Sequence, residues 1–432
     1  MSVPQGLSLE YLPPWKRIFG FFRAAPWLAA LAWAAVAALG IWQPHIHRLA
    51  PVFIAAVHLF TLGALMSVLV AASVQFSAVM TALRIPGEGF WVPFWRAGLW
   101  GGAALFTGGL AFGGRVAVGT GVALLAVVLT SYALVMVTLG VRQKAYRELI
   151  QAWFGLVFTL LLGWQQSTLH SGWLDWAPLP EDARWTSVHV FMALSAWIGV
   201  LIVAVSSRFV PMFFVTPALD DRWRVLTAAL LTGLPAVAAV SAWLGRWWLV
   251  TPLMVLGAGV GAVWLLALAR LLLHRRRSTP DPAVDLWKQV AIVAMVAVVL
   301  MILRALWPET LSETAVGALW LWGVIWGVVT AMLFKIVPFL SYLHLQRAAN
   351  GRYDIIRQLP GMRVLWPPQR QTWLVRLHGV SAGLWALAAV APLPLWLLAA
   401  VCAAEAIILG YAVQQACRLY RRATRLAVLP PG

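Results

Sequence analysis

The sequence predicts an all-α protein that crosses a membrane many times, and three observations support this fold class. Of its 432 residues, 62% are hydrophobic and only 11% are charged, whereas a typical soluble domain has about 25% charged residues. Apolar stretches long enough to cross a bilayer recur along the whole chain. Tryptophans concentrate near the ends of these stretches, where aromatic side chains favour the membrane interface. We therefore expect the lipid bilayer to be the main partner of this chain.

Twelve transmembrane helices are predicted, in a single transmembrane domain that occupies residues 1–432. Their expected bounds are 23–42, 50–82, 97–114, 117–141, 149–167, 185–215, 225–245, 247–272, 287–306, 314–343, 374–392 and 394–417. The first apolar stretch is long and is followed directly by another span, so we do not expect it to be a cleavable signal peptide.

The distribution of charge predicts the orientation of the chain. If both termini are cytoplasmic, 27 of the 32 Lys and Arg residues fall at cytoplasmic helix ends or in cytoplasmic loops. This pattern follows the positive-inside rule and is typical of a multi-pass protein of the bacterial inner membrane. It also accounts for the net charge of +18, so no nucleic-acid partner is expected.

A short motif recurs near the cytoplasmic ends of three predicted spans. It is Arg208-Phe-Val-Pro-Met-Phe in span six, Lys335-Ile-Val-Pro-Phe-Leu in span ten and a divergent Gln75-Phe-Ser-Ala-Val-Met in span two. The three starts are 133 and 127 residues apart, or about four spans each time. This spacing predicts three pseudo-symmetric four-helix units, approximately 17–148, 149–280 and 281–418, and makes Arg208 and Lys335 candidate site residues. The alternative is chance, because basic residues and prolines are common near helix ends.

Two histidines inside the predicted spans are the leading candidates for a cofactor site. His58 precedes Gln75 by 17 residues and His189 precedes Arg208 by 19, which places both near the outer ends of their helices. Ionisable residues in a bilayer are costly and therefore often functional. Neutral imidazoles are good ligands for haem iron and for copper. The alternative is that each histidine makes one structural hydrogen bond to a neighbouring helix.

Other ionisable residues give weaker signals. His45 and His47 lie in the first outer loop, in the sequence Pro-His-Ile-His, and are candidate copper ligands. Glu405 is the carboxylate placed well inside a span, where it would relay protons, pair with a basic group or be protonated. His344 and His378 are predicted near the cytoplasmic ends of spans ten and eleven, where the membrane interface alone explains them.

These features resemble the haem-copper oxidase subunit I superfamily, which has twelve helices with cytoplasmic ends, three parallel four-helix units and a histidine near the outer end of span two. The chain is also similar to bacterial NnrS-like membrane proteins and to uncharacterised oxidase-like membrane proteins. The resemblance implies a haem ligand at His58 and a copper ligand at His189. It extends no further, because spans seven and ten lack the oxidase histidines and Ala193 stands where the main type of oxidase has tyrosine.

We therefore expect an oxidase-like membrane protein that binds haem b, or a metal such as copper, near the periplasmic face. Its expected role is electron transfer, sensing or metalloenzyme biogenesis, without a complete oxygen-reducing centre. One alternative is a metal-free structural or assembly subunit that binds other membrane-protein subunits. A second alternative is a transporter of a small solute.

Overall fold

A computed structural model describes residues 12–42, 48–81, 84–142, 147–171, 184–277 and 279–428, which form helices and short connections without any strand. The long helices are α1 (Trp15–Trp42), α2 (Pro51–Val79), α3 (Glu88–Phe112), α4 (Arg115–Arg142), α5 (Arg147–Ser171), α6 (Trp185–Phe214), α7 (Asp221–Trp243), α8 (Trp247–Leu273), α9 (Pro282–Leu306), α10 (Glu313–Ala349), α11 (Pro368–Val390) and α12 (Leu395–Val428). Two short helices, Tyr353–Gln358 and Met362–Leu365, lie between α10 and α11.

The length and apolar composition of these helices identify a multi-pass membrane protein. Among the described residues, ten helices are long and apolar enough to cross a membrane. Helices α3 and α5 are 25 residues long but do not belong to this apolar set, so the total of twelve spans stays a prediction. Large apolar side chains such as Ile292 and Val299 are exposed on the outward face of α9. Such a face suits contact with lipid tails, which require no polar partner.

Helix α10 lies at the centre of the bundle. Its most apolar stretch is 94% buried, whereas that of α9 is 28% buried. Aromatic contacts join α10 to α2 and α6, and join α2 to α6. They are Phe60 with Trp322 at 5.5 Å, Phe213 with Phe339 at 5.1 Å and Phe76 with Phe209 at 5.7 Å between ring centroids. The three helices that carry the repeated motif therefore contact one another in pairs.

Each of these three central helices contains a π-helical segment. The segments are Leu59–Leu65 in α2, Met192–Gly199 in α6 and Leu319–Trp326 in α10. Their starts are 133 and 127 residues apart, the same spacings that separate Gln75, Arg208 and Lys335. A π-helix is rare, occurs often at functional sites and shifts the backbone hydrogen bonds from the i+4 to the i+5 residue. Backbone carbonyls in these segments therefore become accessible to side chains from neighbouring helices.

Ion pairs mark both ends of the bundle. We call the end where α2, α6 and α10 begin the histidine end, and the other the opposite end. At the histidine end, Glu313 pairs with Arg48 and with Arg304, the latter at 3.1 Å. At the opposite end the pairs are Arg17–Glu88 at 3.1 Å, Arg208–Asp221 at 3.5 Å, Lys335–Asp281 and Arg224–Glu148.

Candidate functional site

His58 and His189 face each other across the interior of the bundle at the histidine end. His58 directly precedes the π-helical segment of α2, and His189 lies three residues before that of α6. Their ring centroids are 6.3 Å apart and their planes differ by 23°. Both side chains are half-buried. The two histidines selected from the sequence therefore belong to one site, although they are 131 residues apart in the chain.

Backbone carbonyls fix the orientation of both rings. Nδ1–H of His58 donates to the carbonyl of Ile54 at 2.8 Å, and Nδ1–H of His189 donates to the carbonyl of Thr159 on α5 at 3.1 Å. These bonds favour the tautomer with the proton on Nδ1, in which Nε2 keeps its lone pair. Metal-bound histidines in proteins typically have such a carbonyl partner on the other ring nitrogen.

The two imidazoles lie on a large, mainly apolar cavity. Its volume is about 1120 Å³, and it is lined by residues of α2, α4, α5, α6, α8 and α10. The ring of Phe106 on α3 contacts the His58 ring edge-on at 5.2 Å. On α5, a Cβ atom at Gly163 would lie only 3.2 Å from Cε1 of His189. The absence of a side chain at Gly163 therefore leaves the space that the His189 imidazole occupies.

Charged residues line the same cavity at its rim. The carboxylate of Glu313 contacts the guanidinium groups of both Arg48 and Arg304. Arg304 also donates to the carbonyls of Pro308 and Leu311, the latter at 2.6 Å. Two arginines against one carboxylate leave a formal charge of +1 at this rim. Such a rim attracts the carboxylates of an amphiphilic ligand whose body occupies the apolar cavity.

The ligands that the described residues bring together suit haem better than a copper ion held by protein alone. No cluster of three or more His, Cys, Asp or Glu side chains with metal-binding geometry occurs in the described part of the chain. The candidate copper ligands His45 and His47 lie outside the described residues. Two imidazoles are sufficient for the axial positions of haem, because the macrocycle provides the remaining nitrogen ligands.

The separation of the two rings agrees with axial ligation of a single metal ion. With metal–nitrogen bonds of about 2.0–2.1 Å, two imidazoles on opposite sides of one ion have ring centres about 6.4 Å apart. The observed separation of the His58 and His189 centroids is 6.3 Å. The site residues therefore fit a haem in ring separation, tautomer and apolar surroundings.

A second polar site, in the third predicted unit, was only half anticipated. Glu405 of α12 is buried as expected, but the explanation of His378 by the membrane interface was wrong, since His378 of α11 is 0% exposed. Nδ1 of His378 and Oε1 of Glu405 are 2.8 Å apart and share a hydrogen bond. Oε2 of Glu405 accepts hydrogen bonds from Ser381 at 2.7 Å and from Trp322 at 3.0 Å. We call these four residues the His378–Glu405 network.

The π-helical segment of α10 supplies the last partner of this network. Nε2–H of His378 donates to the carbonyl of Gly323, inside that segment, at 3.0 Å. Both ring nitrogens are therefore used. A single proton lies between Nδ1 and Oε1, either as an imidazolium beside a carboxylate or as two neutral groups. A Cβ atom at Gly327 would lie 2.6 Å from Nε2, so this glycine provides the space for the ring.

The sequence contains a signal for this contact that was missed. Helices α11 and α12 are joined by a tight connection around Leu393. His378 lies 15 residues before that point and Glu405 lies 12 residues after it. In two antiparallel helices with equal rise per residue, these positions are at nearly the same depth. A buried carboxylate needs a partner, and His378 was the basic residue at that level.

The two basic residues of the repeated motif do not join either histidine site. Arg208 pairs with Asp221 of α7, and Lys335 pairs with Asp281 just before α9. The ammonium of Lys335 also lies 5.0 Å from the ring centre of Phe214. These contacts tie α6 to α7 and α10 to α9 at the opposite end of the bundle. A structural role at helix ends accounts for both residues.

The fold and the two sites define a multi-pass helical membrane protein with a paired-imidazole site beside a large apolar cavity. Comparison of the chain with models of known protein families gives no match, and comparison with curated proteins gives no match either. The case for a function therefore depends on the geometry of the site.

Proposed function

We propose that the protein holds one b-type haem between His58 and His189 and uses it for one-electron transfer or sensing. The observation that carries this proposal is the geometry of the two imidazoles. They lie 6.3 Å apart on separate central helices, each with Nδ1–H on a backbone carbonyl, at one apolar cavity. Bound haem would supply the redox centre, and an apolar environment is one of the factors that set its potential.

The remaining residues of the site have binding roles in this proposal. Ile54 and Thr159 hold the imidazoles in the ligating tautomer through their carbonyls. The apolar walls exclude water and accommodate the macrocycle. Arg48 and Arg304 neutralise the haem propionates, in competition with Glu313. We propose no oxygen-reducing centre, because the site offers two imidazoles and the described residues contain no larger ligand cluster.

The proposed location is the periplasmic side of a bacterial inner membrane, with both termini in the cytoplasm. The excess of Lys and Arg in the loops at the opposite end supports this orientation. The proposed architecture is three pseudo-symmetric four-helix units. The equal spacing of the π-helical segments and of the repeated motif supports it, because two unrelated features recur in one register.

Visible absorption spectroscopy of the full-length protein, purified from haem-supplemented cells, tests the proposal. We expect a strong haem band that sharpens and shifts on reduction with dithionite, with about one iron per chain. His58→Ala and His189→Ala should each abolish or shift this spectrum while the protein still elutes as a single species. The matched control is His274→Ala, because His274 is exposed at the end of α8.

A colourless, iron-free wild-type protein would refute the proposal. It would also fail if both alanine variants kept an unchanged spectrum, because haem would then be bound elsewhere. Copper in stoichiometric amount without haem absorption would assign the two imidazoles to a copper ion instead. Colourless protein that co-purifies with a stoichiometric membrane subunit would favour an assembly role.

A further inference from the structure

A second, smaller cavity lies at the opposite end of the bundle and is independent of the haem proposal. It has a volume of about 420 Å³, within the range of small-molecule sites, and is lined by Leu12, Pro14, Arg84, Glu88, His344, Arg347 and Ala348. These residues come from three places in the chain: the segment before α1, the start of α3 and the end of α10. We call this cavity the arginine pocket.

The charges around the arginine pocket favour an anion. Glu88 is neutralised by Arg17 at 3.1 Å. Arg347 donates to the carbonyl of Leu12 at 3.1 Å, a neutral partner that leaves its charge uncompensated. Arg84 is exposed, and no acidic partner for it occurs among the described residues. The pocket therefore holds two positive charges in excess.

A buried imidazole provides independent evidence for a ligand. The His344 side chain is only 8% exposed, and its Nε2 atom has no hydrogen-bond partner among the described residues. Burial of a polar atom without a partner is costly, so such atoms usually contact a bound water, ion or ligand. Because His344 lines the arginine pocket, a ligand there would satisfy Nε2.

We propose that the arginine pocket binds a phosphate group. Phosphate oxygens accept hydrogen bonds from guanidinium groups in bidentate geometry, and they also accept them from an imidazole N–H. The start of α3 at Glu88 adds the partial positive charge of a helix N-terminus. The volume accommodates a phosphate together with a small headgroup, so the phosphate belongs to an anionic phospholipid or is free in solution.

Native mass spectrometry and thermal unfolding of the full-length protein in detergent test this proposal. We expect the wild type to retain phosphatidylglycerol in preference to phosphatidylcholine, or to be stabilised by inorganic phosphate at constant ionic strength. The first result identifies a lipid and the second a free phosphate. The variant with both Arg84→Gln and Arg347→Gln should lose binding by about tenfold or more, since two charge-assisted contacts are removed.

Two further variants keep the test decisive. Arg357→Gln is the matched control, because Arg357 is an exposed arginine on the nearby short helix Tyr353–Gln358 and should leave binding unchanged. His344→Asn removes only the buried imidazole and should weaken binding severalfold even if the double variant does not fold. The proposal is overturned if wild-type protein binds neither phosphate source, or if His344→Asn and Arg357→Gln bind equally well.

Discussion

The two buried histidine sites of this protein use the same side chain in different ways. At the histidine end, His58 and His189 each use Nδ1 to contact a carbonyl, and both rings lie on a cavity of about 1120 Å³. In the His378–Glu405 network, both nitrogens of His378 are bonded and the ring is 0% exposed. The first arrangement leaves room for a ligand, whereas the second is closed.

This difference shows why a histidine within a membrane helix is not sufficient evidence for a cofactor. His378 is more deeply buried than either candidate ligand, yet it has its carboxylate partner on the next helix. Its contacts explain its presence through helix packing. For His58 and His189, packing explains one nitrogen of each ring, and the cavity beside them has room for a cofactor.

The largest expected effect is on stability, in the closed network. Glu405→Leu leaves the imidazole of His378 and the donors of Trp322 and Ser381 without their acceptor. We expect a loss of about 3–5 kcal/mol, because breaking a buried ion pair leaves an uncompensated polar group. Thermal unfolding in detergent should show a much lower midpoint, and the paired variant H378L/E405L should recover part of it. A single variant as stable as the wild type would contradict the ion-pair description.

A smaller loss is expected when the space for His378 is filled. In Gly327→Ala, the new Cβ would lie 2.6 Å from Nε2 of His378 and 2.5 Å from Cγ2 of Val290. Overpacking of this kind destabilises a folded protein by about 1–3 kcal/mol. Gly317→Ala is the matched control on the same helix, since nothing lies within 4 Å of that Cβ position. If the two variants have the same unfolding midpoint, the ring is not held against Gly327.

The smallest expected effect concerns the open site and depends on the haem proposal. In Gly163→Ala, the added Cβ would lie 3.2 Å from Cε1 of His189 and displace the ring by a few tenths of an ångström. We expect haem affinity to fall by about fivefold, at the lower end of the cost of overpacking. The haem-to-protein absorbance ratio measures this, with Gly233→Ala on α7, where nothing lies within 4 Å, as control. Equal ratios would mean that His189 does not ligate in its present position.

Much of the fold followed from the sequence, because lipid allows few structures other than helices. The helices α2, α6, α8 and α9 begin or end within a few residues of the predicted spans. Helix α10 is longer than expected, since it continues to Ala349 rather than ending at residue 343. The amphipathic turns beyond an apolar core do not register as hydropathy. The count of twelve spans and the three units stay predictions.

The candidate sites were less accessible from sequence. The selection of His58 and His189 used their matching depths, and the structure brings those two rings together. The partner of Glu405 was missed because hydropathy places His378 near an interface, whereas pairing of α11 with α12 determines its burial. The π-helical segments have no local signature in composition, so the carbonyl of Gly323 was not foreseeable as an acceptor. The arginine pocket arises from three distant segments, which sequence alone does not bring together.

The π-helical segments also limit which changes in chain length α2, α6 and α10 tolerate. Removal of one residue from such a segment would restore ordinary α-helical geometry there and turn the rest of the helix by about 100°. In α10 this rotation would carry Lys335 away from Asp281 and Phe339 away from Phe213. A substitution at the same place would alter one side chain only. Single-residue deletions in these segments should therefore be far more damaging than point changes, in contrast to deletions in loops.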